Sequence, residues 1–211
     1  MNHQQFIDQL KEQITSLPGE KAHSLMMPIN RPFTSESLQN IDDYRKSAVA
    51  IVLTPTENFF SSVLIQRSSY EGVHSSQVSF PGGKMEPSDP NLVFTACREC
   101  AEEINLPLNE THLIGALSQV FIPVSNFLVQ PYLFFVEELP ELMPEEREVA
   151  EIIHFDVSIL KEESILQKGD VRIGETLRRK DVPYFSIEDY KVWGATAMML
   201  SELKEILLKL D

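Results

Sequence analysis

The chain predicts an α/β fold, a sandwich of helices around a mixed β-sheet. Three observations carry this. Short β-branched runs such as "SAVAIVLTP" and "SSVLIQRS" begin at Ser47. Sharply delimited helical patterns lie over residues 89–105 and at the end of the chain. No repeat or low-complexity segment interrupts the 211 residues, so one domain with a short appendage is expected.

The elements follow in order. Residues 4–16 read as a surface helix, with Phe6, Ile7, Leu10 and Ile14 at helical spacing. "LPGEKAHSLMMPINRPF" carries Pro and Gly and predicts an extended arm, so residues 1–44 form a helix plus arm and residues 45–211 the main domain. The two β-branched runs, separated by "TENFF", predict paired strands, and "QVSFPGG" a short strand entering a Gly-rich turn. In the helix over 89–105, Asp89 suits the N-cap and Pro90 the first helical position; Asn105 suits a left-handed stop, with Pro107 beyond it. "HLIGALSQVFIP", "LVQPYLFFVEEL" and "EVAEIIHFDV" predict strands, the second an edge or bulged strand because of Pro131. "VRIG" and "VPYFSI" suggest a late hairpin, and "ATAMMLSELKEILLKL" an amphipathic closing helix.

Charge narrows the function. Asp plus Glu is 32 and Lys plus Arg 18, a formal charge of −14, without any basic run. Phosphate backbones and anionic membranes repel such a chain, so neither nucleic acid nor membrane is expected as a partner. A phosphorylated small molecule remains compatible if metal cations mediate the contact. The polar start "MNHQQFIDQLKEQ" has no apolar leader core, and no apolar stretch approaches a membrane span, so a cytoplasmic location is expected.

"ACRECAEEIN", residues 96–105, holds both cysteines and a carboxylate cluster. At about 100° per residue, Val93, Cys97, Cys100, Ala101 and Ile104 share one helix face, and Glu99, Glu102 and Glu103 the opposite one. The cysteines therefore read as core residues, since zinc would need two more ligands and no second C-x-x-C exists. The three glutamates repel one another at i,i+3 and i,i+4, near the helix end that disfavours acids. A bound divalent cation such as Mg²⁺ would reverse that repulsion and bridge to substrate phosphates.

From Gly83 onward, "GKMEPSD", "PNLVFTAC" and "RECAEEIN" resemble the Nudix box, G-x5-E-x7-R-E-U-x-E-E-x-G-U with U apolar. Gly83, Arg98, Glu99, Glu102 and Glu103 match in position, with Cys100 in the apolar slot. Asp89 replaces the first Glu, eight residues separate it from Arg98, and Asn105 replaces the last Gly. The eight-residue spacing, "FPGG" and "VWGATA" are similar to the coenzyme A pyrophosphatase branch, over roughly residues 45–207. Gly72 and Ser76 depart from that branch, which has Arg and Gly there.

The resemblance implies a Nudix-type α/β/α sandwich that hydrolyses a pyrophosphate bond with Mg²⁺ or Mn²⁺. It implies metal ligation by Glu99, Glu102, Glu103 and the Gly83 carbonyl, and a catalytic set of Glu99, Glu102 and Arg98. Glu99 is the expected base and Glu148 the alternative. Arg67 is expected either to bind substrate or to pair with a box acid. The implied substrate is coenzyme A or a derivative, cut to 3′,5′-ADP and a phosphopantetheine product. The alternatives are ADP-ribose or another nucleoside diphosphate conjugate, or a silent nucleotide-binding module. A homodimer stays open as an assembly. His74 is expected to make a structural hydrogen bond, Trp193 to lie in the core, and Arg98 to serve as a salt-bridge partner.

Overall fold

The computed structural model describes residues 3–39, 41–57, 59–68, 77–173 and 177–210. Gly72, His74 and Ser76 lie outside the described residues.

Three helices lead the chain: α1 (His3–Gln13), α2 (Glu20–Ser24) and α3 (Thr34–Leu38). The predicted extended arm is therefore interrupted by two short helices. Next come β1 (Arg45–Pro55), β2 (Phe60–Arg67), β3 (Val78–Ser79), β4 (Gly82–Lys84) and α4 (Leu92–Ile104). Then follow β5 (Leu113–Ala116), β6 (Val120–Ile122), β7 (Phe127–Phe135) and β8 (Val149–Asp156). The chain ends with β9 (Leu166–Ile173), β10 (Leu177–Ile187), β11 (Tyr190–Trp193) and α5 (Gly194–Leu207).

The main sheet is mixed. β1 runs parallel to β7 from Arg45↔Phe127 to Leu53↔Phe135, while β2 and β4 join β1 antiparallel. β8 and β3 flank β2, and β9, β10 and β11 form a separate antiparallel sheet. Alternation along the strands sorts residues between two cores. Ala48, Ala50 and Val52 of β1 face Cys97, Cys100 and Ile104 of α4. Ile51 and Leu53 face the opposite core, which holds α1 and α5. Helices thus cover both faces of the sheet. The small alanines of β1 leave room for α4 to lie close against it.

Pro131 does not mark an edge. β7 is central, with β1 on one side and β5 and β6 on the other. Pro131 sits where β6 pairing ends at Val129 and β5 pairing begins at Tyr132, so its missing N–H breaks no continuous ladder. Gln130 Nε2 donates to the Leu117 carbonyl at 2.7 Å and helps fill the gap.

The closing helix α5 is buried on nearly every side rather than one-faced. Its polar residues meet the arm: Ser201 Oγ donates to the Ala22 carbonyl at 2.7 Å, and Glu202 lies beneath α2. The arm contributes apolar core as well. Phe6 stacks on Phe60 with ring centroids 4.2 Å apart, and Leu10 and Met26 are buried. Each such side chain contributes roughly 1.5–3 kcal/mol by leaving water.

Candidate active site

α4 begins later than the sequence suggests. Asn91, not Asp89, is the N-cap, and its side chain accepts from the Phe94 N–H at 2.8 Å. Asp89 is used elsewhere. It closes the preceding turn by accepting from the Glu86 N–H at 2.9 Å, and it accepts from Thr95 Oγ1 at 2.9 Å. Its main partner is Arg98, whose Nε and Nη2 each donate to it at 3.0 Å. This two-pronged contact holds Asp89 at about 2, the Arg98 hydrogen bonds outweighing the cost of burial. The C-terminal stop is as expected: Asn105 adopts φ 56° and donates its N–H to the Ala101 carbonyl.

Arg98 organises the helix face. Besides Asp89 it donates to the Lys84 carbonyl at 3.0 Å, and its Nη1 reaches Glu99 at 2.9 Å and Glu102 at 2.8 Å. Its predicted role as a salt-bridge partner matches this placement.

The three glutamates are not equivalent, although they share a helix face in projection. Side-chain exposure is 59% for Glu102, 13% for Glu99 and 1% for Glu103. Tertiary packing buries Glu103 beneath the start of β4, where it accepts from the Gly82 N–H at 2.8 Å and lies 3.3 Å from Arg67 Nη1. Burial pushes Glu103 up to about 7 against these two partners, with the charges of Glu99 and Glu148 adding to the rise. Glu99 is also raised, first by burial.

The glycines of the turn make the close approach possible. A Cβ on Gly82 would lie 2.3 Å from the Ala48 carbonyl oxygen. A Cβ on Gly83 would lie 2.5 Å from the Glu99 carboxylate, so Gly83 leaves the space in which Glu99 rests on the backbone.

Glu99, Glu102, Glu103, Gly83, Arg67 and Glu148 all line one cleft of about 670 Å³. The predicted site residues are therefore brought together. Trp193, expected in the core, is only partly buried and forms part of the cleft wall. Ile122, Pro123, Val124 and Phe127 give the cleft an apolar side. Sequence reasoning missed two cations of the cleft, Arg31 from the arm and Arg179 from β10. No local motif marks either one; only the fold brings them to the site.

The cysteines are free, buried and absent from the cleft lining, as expected. Burial pushes the Cys97 thiol up to about 11 and raises Cys100 as well, so neither is a nucleophile near neutral pH. Ala101, placed with them by helical projection, is instead exposed.

Comparison with known proteins gives this arrangement a family. The profile of the NUDIX domain matches residues 44–178, and the chain belongs to the Nudix hydrolases, which cleave phosphoanhydride bonds. The Nudix hydrolase NudL of Pectobacterium atrosepticum is 29% identical over 169 residues, 79% of this chain and 85% of that protein. The human mitochondrial coenzyme A diphosphatase NUDT8 is 34% identical over 138 residues, 64% of this chain and 57% of that protein. A MutT/nudix family protein from Enterococcus faecalis superposes with a TM-score of 0.53 at 12% identity, covering 89% of this chain and 73% of that one. That likeness speaks to the fold.

Nudix hydrolases generally use divalent metal ions, and the donor chemistry here fits one. Among the described residues the acidic site offers oxygen donors only, which suits Mg²⁺ or Mn²⁺. The charge of Glu148 adds to the raised proton affinity of both Glu99 and Glu103, a repulsion that a cation relieves. Among the described residues, no three acidic, His or Cys side chains converge tightly enough to hold an ion as they stand. Arg98 pairs with Glu99 and Glu102, and Arg67 with Glu103. No helix among the described residues is long and apolar enough to cross a membrane.

Proposed function

We infer that this Nudix hydrolase cleaves the pyrophosphate bond of coenzyme A or a derivative, giving 3′,5′-ADP and a phosphopantetheine product. The observation that carries the reading is the cleft itself. It is lined both by the α4 carboxylates and by apolar residues, Ile122, Pro123, Val124, Phe127 and Trp193, that offer contact to a long uncharged arm. The likeness to the human coenzyme A diphosphatase supports the same choice.

In this reading Glu99, Glu102, Glu103 and the Gly83 carbonyl hold Mg²⁺ or Mn²⁺. The cation would neutralise phosphate charge and orient the diphosphate. Hydrolysis adds the oxygen of water to one phosphorus and breaks its bond to the bridging oxygen, which leaves on the other phosphate. The proton released by water passes to a carboxylate. Glu99 suits that role because burial raises its proton affinity, and Glu148 is the alternative acceptor in the same cleft. Arg98 positions Glu99 and Glu102 rather than touching the substrate. Arg67 pairs with Glu103 and lines the cleft, where its guanidinium would be placed to meet a substrate phosphate. The partner is thus a nucleotide-containing small molecule.

The departures at Gly72 and Ser76 favour a second reading, hydrolysis of ADP-ribose or another nucleoside diphosphate conjugate. A panel of coenzyme A, its esters, ADP-ribose and dinucleoside polyphosphates, with product analysis, decides between them. Turnover of coenzyme A to 3′,5′-ADP is expected, abolished by EDTA and restored by Mg²⁺ or Mn²⁺. Cleavage of ADP-ribose alone overturns the coenzyme A reading, and turnover that survives exhaustive chelation overturns the metal role.

A further inference from the structure

The chain is strongly acidic, yet two arginines line the cleft apart from the acidic helix. Arg31 comes from the arm between α2 and α3, and Arg179 from β10. Both fall outside the 44–178 stretch matched by the family profile. Their pairing differs from that of the other cleft arginines. Arg67 is matched by Glu103, and Arg98 by Asp89, Glu99 and Glu102. Among the described residues neither Arg31 nor Arg179 has a carboxylate partner.

Each is instead anchored by a backbone carbonyl. Arg31 Nη2 donates to the Phe121 carbonyl at 2.6 Å, and Arg179 Nη2 to the Ile29 carbonyl at 3.1 Å. The second bond ties Arg179 to the arm two residues before Arg31. Arg31 Nε is buried without a hydrogen-bond partner among the described residues. Both side chains are half-buried, and their like charges are close enough to repel. Arg179 also sits beside a register shift in β10, where Asp181 takes φ 52°; such bulges re-aim neighbouring side chains. Two adjacent guanidinium groups that no carboxylate among the described residues neutralises, facing a ligand cleft, are a site for an anion.

We propose that Arg31 and Arg179 together bind a phosphomonoester that the nucleotide carries in addition to its pyrophosphate, the 3′-phosphate in coenzyme A. The inference rests on the coenzyme A reading above for the identity of that phosphate. It would also give a phosphate contact without an Arg at position 72, because the arm and β10 supply the cation from elsewhere in the fold. The two sets of cleft residues then divide the work: carboxylates and cation at the scissile diphosphate, arginines at the additional phosphate.

The test uses the full chain with Mg²⁺ and two unreactive nucleotides, 3′,5′-ADP and 5′-AMP, in titration calorimetry. The wild type is expected to bind 3′,5′-ADP at least about tenfold more tightly than 5′-AMP, roughly the effect of one good charged contact. Arg31→Gln and Arg179→Gln should each cut that ratio several-fold and leave 5′-AMP binding unchanged. Arg179→Gln keeps the test sound if Arg31→Gln loosens the arm. Equal affinities in the wild type, or a preference that survives both substitutions, overturns the proposal. Turnover of coenzyme A and dephospho-coenzyme A is measured alongside. A binding preference that both substitutions erase, without turnover of either compound, supports the phosphate site and sinks the substrate reading. Turnover of both without a binding preference does the reverse.

Discussion

Two glutamates in this protein are almost equally buried and behave in opposite ways. Glu103, at the cleft, is 1% exposed; Glu202, under the arm, is fully buried. Burial alone raises the proton affinity of both. At Glu202 that effect is outweighed by interactions with His23 and with the hydroxyl and N–H of Ser118. Its carboxylate accepts from Ser118 Oγ at 2.6 Å, from the Ser118 N–H at 2.9 Å and from the Gly19 N–H at 2.8 Å. His23 Nε2 lies 3.4 Å away, near enough for charge attraction though not aligned as a hydrogen bond. The result is a carboxylate held below its ordinary range. Glu103 has one backbone donor and one arginine, and neighbouring acids work against it. The lesson is that the supply of donors, not depth, decides whether a buried acid is a strut or a reactive group. Glu202 fastens the arm to α5; Glu103 is left short of positive charge.

The sharpest way to break this contrast is Glu103→Gln. Turnover should fall by about a thousandfold, equivalent to ~4 kcal/mol of barrier. In EDTA the melting temperature should hold or rise, because a poorly compensated charge is gone. Steady-state rates and calorimetric melting check both halves, and wild-type activity in this variant would remove Glu103 from the site.

Glu202→Ala should do the opposite. It strands the N–H groups of Gly19 and Ser118, costing about 3 kcal/mol of stability. The rate per folded molecule should stay near wild type at a temperature where the variant is folded. Denaturant unfolding reads the loss, and a change below about 0.5 kcal/mol would show that the seam is not a strut.

The two acids should also give opposite pH slopes in metal-free protein. A folded value raised to about 7 means that the contribution of Glu103 declines as pH climbs toward and through 7. A lowered folded value means that the contribution of Glu202 is present above its ordinary 4.5 and is lost as pH falls through the folded value. Melting curves in EDTA across pH, for the wild type, Glu103→Gln and Glu202→Ala, should show each substitution flattening its own slope.

Asp89→Asn extends the comparison to a third buried acid. Its folded value of about 2 against an ordinary 3.8 corresponds to about 2 kcal/mol, present above pH 3.8 and lost as pH falls through 2. The variant should lose that amount at neutral pH and show a weaker acid transition. Its kcat should drop less than that of Glu103→Gln, since Asp89 acts through Arg98.

The smallest effect belongs to the cysteines. Replacing Cys97 and Cys100 by Ala should cost about 1–2 kcal/mol through lost packing and leave turnover unchanged. Loss of activity on thiol alkylation of the native protein would contradict the core assignment.

What the amino-acid order determines by itself is everything set by short-range periodicity. The pitch of α4 places Arg98, Glu99 and Glu102 within reach of one another and puts Cys97, Cys100 and Ile104 on the sheet. Asn105 ends the helix for a reason intrinsic to its side chain, its tolerance of the left-handed conformation. Alternation along β1 sorts its residues to two faces before any partner strand is known. The tertiary structure decided what depends on solvation and distant partners. It moved the helix cap to Asn91 because Asp89 had a better partner in Arg98. It put Pro131 at the seam between two strands, where the missing donor costs nothing. It buried Glu103 but left Glu102 in water, although the two are neighbours in the chain. It also brought Arg31 and Arg179 to the cleft wall, because long-range pairing is set by the packing of whole elements, which local spacing does not encode.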